Sequence, residues 1–439
     1  MKKLLSILLA AAMAFSLAAC GDSGTGGGKL PSAQSGGNGS ALSTDFQQHM
    51  KTADWFQLGP MCETETGWYF QYNYLLYYID KKSVKTTVLC GKPDCKHADP
   101  TCNAWVNTSS LNYSDGKVFF DNSDNDNGAS GLMTLFSMNT DGTSRGDVQA
   151  LQQQKQHEWK PCETIIHRGV VYFNYAGTVY MAPLGSDMSK ATKLFGEVKN
   201  TEDGVANTGD GIYWKFSAED NKIYFMGNIT QSDRTQKDTL FCYDTNTKEV
   251  KQVWQIPDAA EVGKWETTGV SLIRTGTNPR GWYIKDGSLY FYLSGNDLWR
   301  NDLNGGKNER VAAVSEKIPE SGFAIFNDDN IFIINDYPDY LESVFGRDNT
   351  KADTIFMYDY DGNLLKELSL KDLGKHLKSV SNIQMLWASE GKLFMFVYGD
   401  TNVSDVAPNA QESTNKERLA YIDLETGAIS LLDWTGYYD

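Results

Sequence analysis

Short apolar strands alternate with turns of Asp, Asn and Gly along most of the chain, and one pattern of this kind recurs. Its centre is a strand of the type x-Ile/Val/Leu-Tyr/Phe-Phe that begins just after a turn. Seven segments carry it: Gly67–Phe70, Asp115–Phe120, Arg168–Phe173, Asn221–Phe225, Asp286–Phe291, Asn330–Ile334 and Glu390–Phe396. Recurrence of this kind is the signature of a repeat architecture and outweighs any local assignment of secondary structure.

A third strand follows each of these segments and ends in a second turn. The seven third strands are Leu76–Asp80, Leu135–Gly142, Thr178–Met181, Leu240–Asp244, Asp297–Arg300, Ile355–Gly362 and Leu419–Asp423. A further apolar run closes most units, which gives four antiparallel strands per unit. One such sheet cannot cover both of its faces, so the units stack radially as blades. The sequence therefore predicts an all-β fold, a single β-propeller of seven blades, with six or eight as alternative counts.

The amino terminus carries an export signal. Lys2 and Lys3 precede an apolar run over 4–17 that is shorter than the ~20 residues a bilayer span requires. The next residues, Leu17-Ala18-Ala19-Cys20, resemble the lipobox of bacterial lipoproteins, which implies lipidation of Cys20. We expect a signal peptide over 1–19, a flexible Gly/Ser-rich linker over 20–43, the propeller over 44–439, and a location on the extracellular face of the cell membrane.

Charge and composition limit the classes of partner that the chain is expected to bind. The formal net charge is -16, and the acidic residues are spread along the chain, which disfavours nucleic acid and anionic lipid. Aromatic residues make up 12% of the chain, with 23 Tyr and 20 Phe, in keeping with a β fold whose blades pack through large side chains. We expect a monomer that binds a glycan, a peptide or an envelope protein.

The densest chemistry in the sequence is a run of three thiols and an imidazole: Cys90, Cys95, His97 and Cys102. An exported chain allows a disulfide, such as Cys95 to Cys102, whereas three cysteines and one histidine also suit tetrahedral zinc. Free thiols are the third alternative. The role expected in each crosslinked case is to fasten a long loop that lacks a core, and no other cofactor is expected.

Innermost strands of a propeller line its central funnel, and they supply the candidate ligand surface. Five residues on them are predicted to contribute: Glu63, Glu163, Lys215, Tyr283 and Trp387. Two of these belong to identical triplets, Cys62-Glu63-Thr64 and Cys162-Glu163-Thr164, which are expected at equivalent places in the first and third repeats.

Motifs of catalysis are scarce. The sequence contains no Gly-x-Ser-x-Gly elbow, no His-Glu-x-x-His and no phosphate-cradling loop, so the prediction is a binding or scaffold module and not an enzyme. The alternative is a carbohydrate-active propeller enzyme, a glycoside hydrolase or lyase, because such enzymes draw carboxylates from separate blades that no spacing rule reveals.

The last unit of the chain carries a family resemblance. Asp423, Thr426-Gly427 and Trp434 are placed as in the quinoprotein propeller repeat, in which they shape and staple a hairpin. As a whole the chain resembles the propeller-bearing lipoproteins of Gram-positive bacteria, related to TolB-type and quinoprotein-type propellers. The resemblance implies the fold, and it implies no quinone chemistry because only this blade fits the repeat well.

Overall fold

A computed structural model describes residues 51–52, 58–72, 74–108, 110–121, 132–153, 163–175, 177–196, 215–230, 236–257, 281–292, 297–314, 322–335, 354–401, 415–432 and 434. In these residues 29 strands form seven antiparallel sheets, each built from strands consecutive in the chain. The structure is a seven-bladed β-propeller, which confirms the predicted fold and blade count. The signal peptide, Cys20 and the linker lie outside the described residues.

The first four blades contain strands β1 to β17. Blade 1 has β1 Lys51–Thr52, β2 Leu58–Glu63, β3 Gly67–Tyr72, β4 Leu75–Asp80 and β5 Thr86–Val88. Blade 2 has β6 Leu111–Ser114, β7 Lys117–Asp121, β8 Leu132–Asn139 and β9 Gly146–Gln153. Blade 3 has β10 Thr164–His167, β11 Val170–Tyr175, β12 Thr178–Pro183 and β13 Thr192–Phe195. Blade 4 has β14 Lys215–Glu219, β15 Lys222–Thr230, β16 Gln236–Asp244 and β17 Glu249–Gln255.

The remaining three blades contain β18 to β29. Blade 5 has β18 Trp282–Lys285, β19 Ser288–Tyr292, β20 Leu298–Asp302 and β21 Asn308–Ala312. Blade 6 has β22 Gly322–Phe326, β23 Ile331–Asn335, β24 Thr354–Tyr358 and β25 Leu364–Ser369. Blade 7 has β26 Leu377–Ser389, β27 Lys392–Thr401, β28 Asn415–Asp423 and β29 Ile429–Leu431. The predicted second and third strands of all seven repeats coincide with observed strands.

Helix is confined to two short 3-10 segments in the described part of the chain, Met188–Lys190 and Lys371–Lys375. Neither these nor any other helix of the described residues has the length and apolar character needed to cross a membrane.

Tight turns join the first strand of a blade to the second, and their sequence explains them. Four of these turns place both central residues at positive φ: Asp115-Gly116, Arg168-Gly169, Asp286-Gly287 and Glu390-Gly391. Positive φ at both positions is the type I′ pattern, whose twist matches that of the flanking strands and which favours Gly at the second position. The x-Gly pairs therefore fix the register of the first hairpin in these four blades.

An aspartate shapes the turn between the third and fourth strands in six blades. Its Oδ1 accepts a hydrogen bond from the backbone N–H two residues further on, at 2.8 to 3.1 Å, as an Asx turn does. The six residues are Asp80, Asp141, Asp244, Asp302, Asp359 and Asp423. The longer connection of blade 3 contains the same bond, from the Ser189 N–H to Asp187 Oδ1 at 2.9 Å, so all seven blades share this Asx turn.

Neighbouring blades pack through apolar clusters that lie between them. Trp254 of blade 4, for example, meets Phe291 of blade 5 with ring centroids 4.9 Å apart. Blades 7 and 1 are joined in the same way, because Trp434 packs its ring edge-on against Tyr72 at 4.9 Å and Tyr77 at 5.6 Å. Among the described strands, packing of this kind closes the ring, since each sheet uses only its own consecutive strands.

The innermost strands run parallel around the channel. Ser110 Oγ accepts the N–H of Thr164 at 3.1 Å, and two residues further on Asn112 Oδ1 accepts the N–H of Ile166 at 3.0 Å. Apart from the two-residue β1, which pairs antiparallel with β2, the innermost strands therefore begin at one face, here called the start face, and the tight turns lie at the opposite hairpin face. The connections between successive blades also lie at the start face.

Candidate metal centre and inner rim

The cysteine run interrupts β5, the outermost strand of blade 1. β5 continues to Leu89, whose N–H donates to the carbonyl of Leu76 in β4 at 2.8 Å. The chain then leaves the sheet and returns at Ala104, whose carbonyl accepts the N–H of the same Leu76 at 2.9 Å. Residues Cys90–Asn103, here called the cysteine loop, are therefore an excursion from a single edge strand, and their two ends are held next to each other.

The structure brings together all four residues of the predicted cluster. The ligand atoms of Cys90, Cys95, His97 and Cys102 lie within 4.8 Å of one another, and His97 Nδ1 is 3.2 Å from Cys102 Sγ. Cys102 is buried and the other three are partly buried, and each cysteine is a free thiol in the structure. Three sulfurs and one imidazole nitrogen thus converge on one point.

Backbone amides point at two of these sulfurs. The N–H groups of Lys92 and Asn103 donate to Cys90, and the N–H of Ala104 donates to Cys102. Burial raises the pKa of Cys90, but these amides and the neighbouring thiols bring the pKa of that thiol below its ordinary value. Burial raises the pKa of Cys102 to about 12.

The cysteine loop rests on blade 2. It contacts the turn between β8 and β9, residues Thr140–Arg145, here called the blade 2 hairpin. Gly91 N–H and the Asn103 side-chain amide both donate to the carbonyl of Gly142, at 3.0 and 2.9 Å. Gly142 has φ +78°, and a Cβ there would lie 2.7 Å from the backbone nitrogen of Cys90. Only glycine fits this contact.

Arg145 completes the contact between the two blades. Its Nη1 donates to the carbonyls of Trp105 at 2.5 Å, Asn103 at 3.3 Å and Cys102 at 3.4 Å. The guanidinium also lies over the ring of Phe120 in blade 2, 5.5 Å from its centroid. Burial lowers the pKa of Arg145, while negative charge on Cys102 raises it. A cation is therefore held beside the sulfur cluster.

A second polar group lies where the innermost strands of blades 3 and 4 begin. Glu163, directly before β10, forms an ion pair with Lys215, the first residue of β14. Glu163 is 6% exposed, and its Oε2 is buried without a hydrogen-bond partner among the described residues. Burial raises the pKa of Glu163, Lys215 lowers it, and the charge of Asp121 raises it further.

Asp121 belongs to a network that sequence analysis did not identify. Its Oδ1 accepts hydrogen bonds from the backbone N–H and hydroxyl of Ser110, at 3.0 and 2.9 Å, and from the hydroxyl of Thr108 at 2.5 Å. The Ser110 hydroxyl lies 2.5 Å from that of Thr164. We call Asp121, Ser110, Thr164, Glu163 and Lys215 the inner rim; no spacing rule links them because they come from three blades.

The two Cys-Glu-Thr triplets are not equivalent, contrary to the expectation. Glu63 is the last residue of β2 and lies at the hairpin face, whereas Glu163 precedes β10 at the start face. The first turn of blade 1 comes directly after Glu63, and that of blade 3 comes only after His167. Glu63 Oε1 is 2.9 Å from Lys81 Nζ and also accepts the hydroxyl proton of Ser389. Cys162 lies outside the described residues.

The last two predicted funnel residues are buried between blades. Tyr283 is 5% exposed and donates its hydroxyl to Asp328 of blade 6, and burial raises its pKa. Trp387 is 2% exposed, stacks on Phe394 of its own blade with centroids 4.5 Å apart, and lies 6.2 Å from the ring of Phe70 in blade 1. Of the five predicted residues, the structure brings Glu163 and Lys215 together and places the other three elsewhere.

Comparisons with known proteins do not identify a family for this chain. Neither a protein-family model nor a curated protein sequence matches the chain. Similar solved structures include dipeptidyl peptidase 4 of Porphyromonas gingivalis, at 9% identity over 92% of this chain and 56% of that one, with a TM-score of 0.41. This chain therefore spans little more than half of that peptidase.

Two further solved structures are similar over much of their length. BamB of Moraxella catarrhalis matches at 12% identity over 81% of this chain and 94% of that one, with a TM-score of 0.36. Oligogalacturonate lyase of Vibrio parahaemolyticus matches at 11% identity over 65% and 76% of the two chains, with a TM-score of 0.36. At such identities the fold assignment rests on the seven sheets themselves.

Proposed function

We propose that this chain is an exported lipoprotein, held at the extracellular face of the membrane by a lipid on Cys20, whose propeller is a binding or scaffold module for a glycan, peptide or envelope protein. The observation that carries the binding role is the inner rim, and in particular the buried Glu163 Oε2, for which the part of the chain that the structure describes supplies no hydrogen-bond partner. A buried acceptor left unpaired costs about 1 to 3 kcal/mol, so a ligand that supplies a hydroxyl or amide donor there is stabilised.

The position of the inner rim supports the same proposal. It lies at the start face, where the connections join successive blades. Binding residues in repeat folds are commonly supplied by loops that a rigid scaffold positions. The Asx hydrogen bonds of the short turns at the opposite face lie within single blades.

Ion pairing favours binding over glycoside hydrolysis. Hydrolases of this class use two carboxylates that flank the scissile bond, separated by about 5 to 9.5 Å. The two glutamates singled out by sequence, Glu63 and Glu163, lie at opposite faces, and each is paired with a lysine, Lys81 and Lys215 respectively.

The binding role is tested with the full chain in lipid nanodiscs, presented to a panel of oligosaccharides and to a displayed peptide library. We expect one class of ligand in these libraries to bind the wild type. The double variant Glu163→Gln/Lys215→Met should bind that ligand at least about tenfold more weakly, because the loss of one hydrogen bond to a charged group reduces affinity by about this factor. Lys251→Met is the matched control, because Lys251 is 70% exposed and pairs with Glu249 on the outer strand β17. Equal binding by the double variant would refute the inner rim as the site.

The anchor is tested separately. Cells that express the chain are labelled with a radioactive fatty acid, and membrane and medium are separated. We expect label on the wild type and its retention in the membrane fraction, because two acyl chains anchor stably. Cys20→Ala should carry no label, and a variant that remains in the membrane without label would contradict the proposal.

A further inference from the structure

The cysteine loop presents a complete set of metal ligands that the binding role does not use. We infer that Cys90, Cys95, His97 and Cys102 bind one Zn²⁺ in a closed structural site that fastens the split strand of blade 1 to blade 2. This inference is independent of the ligand proposed for the inner rim.

The donor set and its geometry carry the inference. A zinc–sulfur distance of about 2.3 Å places the sulfurs of a tetrahedral site roughly 3.8 Å apart. The four ligand atoms already lie within 4.8 Å of one another without an ion, so a small contraction completes the tetrahedron. Since the protein fills all four positions, no position remains for water or substrate, which distinguishes a structural site from a catalytic one.

The surroundings of the sulfurs match thiolate ligands. Amides of Lys92 and Ala104, each two residues past a cysteine, donate to Cys90 and Cys102. Thiolates accept such hydrogen bonds well, and outer-shell donors of this kind orient metal ligands. Three thiolates, a neutral imidazole and Zn²⁺ carry one negative charge, and the guanidinium of Arg145, bonded to the Cys102 carbonyl, offsets it. Binding releases the three thiol protons to solvent.

The location explains what the ion does for the fold. Cys90 and Cys102 stand at the two ends of the excursion, next to Leu89 and Ala104, which pair with β4. A metal that joins them holds the two halves of the strand in line. Gly91 and Asn103, which adjoin these two cysteines, donate to the carbonyl of Gly142, so the site also holds the blade 2 hairpin.

A disulfide is the competing outcome. It joins two sulfurs at about 2.05 Å and leaves the third thiol and His97 without a role. The zinc site uses all four groups.

The test uses the full chain in detergent, purified under reducing conditions, stripped with a chelator and dialysed against Zn²⁺ or Co²⁺. We expect about one zinc per chain by mass spectrometry of the metal, and a Co²⁺ spectrum with thiolate charge transfer and intense tetrahedral bands. His97→Ala and Cys102→Ser should bind weakly, with at least about tenfold loss of affinity. Cys242→Ala, which removes a buried thiol of β16, should keep the full zinc content.

Three results would overturn the inference. One is a wild-type chain that binds no zinc and shows an octahedral Co²⁺ spectrum, a readout that does not depend on any variant folding. Another is exported protein whose thiols in the cysteine loop react with an alkylating agent only after reduction, which indicates a disulfide. The third is zinc content in His97→Ala and Cys102→Ser equal to that of Cys242→Ala.

Discussion

The two junctions on either side of blade 1 share apolar packing but differ in what is added to it. Towards blade 7, Trp434 lies among aromatic rings of both blades, including Tyr72, Tyr77 and Phe396. Towards blade 2, apolar side chains of both blades also pack together, the cysteine loop adds backbone polar groups and the four metal ligands, and the blade 2 hairpin adds the guanidinium of Arg145. The first junction is dominated by aromatic rings, and the second combines a hydrophobic core with a polar clasp.

The difference follows from what each sequence segment can bury. Blade 1 and the end of blade 7 supply large rings, which bury about 150 to 250 Å² each. The cysteine loop consists mainly of exposed residues such as Lys92, Asp94 and Lys96, which cannot form a core of their own. Segments without a core are ordinarily fastened by a crosslink, either a disulfide or a metal.

The largest effect is expected at the aromatic junction. Trp434→Ala removes a 5% exposed side chain that packs against four rings, so we expect about 3 to 5 kcal/mol of lost stability in urea unfolding. Zinc content should not change, because the cysteine loop lies on the other side of the blade. Leu365→Ala, which shortens a 46% exposed side chain, is the control and should leave the unfolding curve unmoved.

Zinc should account for the next largest effect. At a free concentration 100-fold above its dissociation constant, a ligand of the folded state adds about 2.7 kcal/mol. The free energy of unfolding of the wild type, measured in urea, should therefore be higher in Zn²⁺ than in chelator by about this amount. Cys102→Ser should show the same unfolding curve in both buffers; a difference as large as that of the wild type would mean that the stabilisation arises elsewhere.

Removal of Arg145 weakens the clasp without removing a ligand. Arg145→Met deletes its bonds to the carbonyls of Cys102, Asn103 and Trp105, and hydrogen bonds of a charged group contribute about 1.5 to 3 kcal/mol. We expect about 2 kcal/mol of lost stability together with weaker zinc binding, measured by competition with a chromophoric chelator. Arg300→Met, at an exposed ion pair on blade 5, should cost less than about 1 kcal/mol.

The smallest effect concerns the turn that closes blade 7. Backbone and hydroxyl hydrogen bonds from Thr426 lower the pKa of Asp423 below 3.8, so its carboxylate stabilises the folded state above that pH. This contribution is lost as pH falls through the lowered value. Asp423→Asn should cost less than about 1 kcal/mol at pH 7, and the difference from wild type should vanish once the pH falls below the lowered pKa of Asp423. A difference that grows on acidification would refute this sign.

The ring of blades is predictable from the sequence because the patterns that specify it are local. The x-Gly turns, the aromatic second strands and the spacing of the units each report on a few consecutive residues, and all seven blades were identified from them. The cysteine cluster was identified for the same reason, since its ligands lie within thirteen positions. That the loop splits the strand at Leu89 and Ala104 was not visible, because the pairing partner Leu76 lies earlier in the chain.

The inner rim shows where local patterns fail. The equivalence expected from the Cys-Glu-Thr triplets was wrong because the first turn follows directly in blade 1 and later in blade 3. As a result, the two identical triplets lie at opposite ends of their innermost strands. Trp387 and Tyr283 do lie on innermost strands, but large rings at those positions pack between blades.

Hydrogen exchange on the full chain, with zinc and with chelator, tests the clasp most directly. Gly91 donates to Gly142 and Val106 to Tyr74, across the clasp and along the split strand, whereas Leu432 donates to Leu419 within blade 7. We predict that chelation speeds exchange at Gly91 and Val106 at least about tenfold and leaves Leu432 unchanged. Unchanged exchange at Gly91 and Val106, or an equal change at all three amides, would contradict a zinc ion that fastens blade 1 to blade 2.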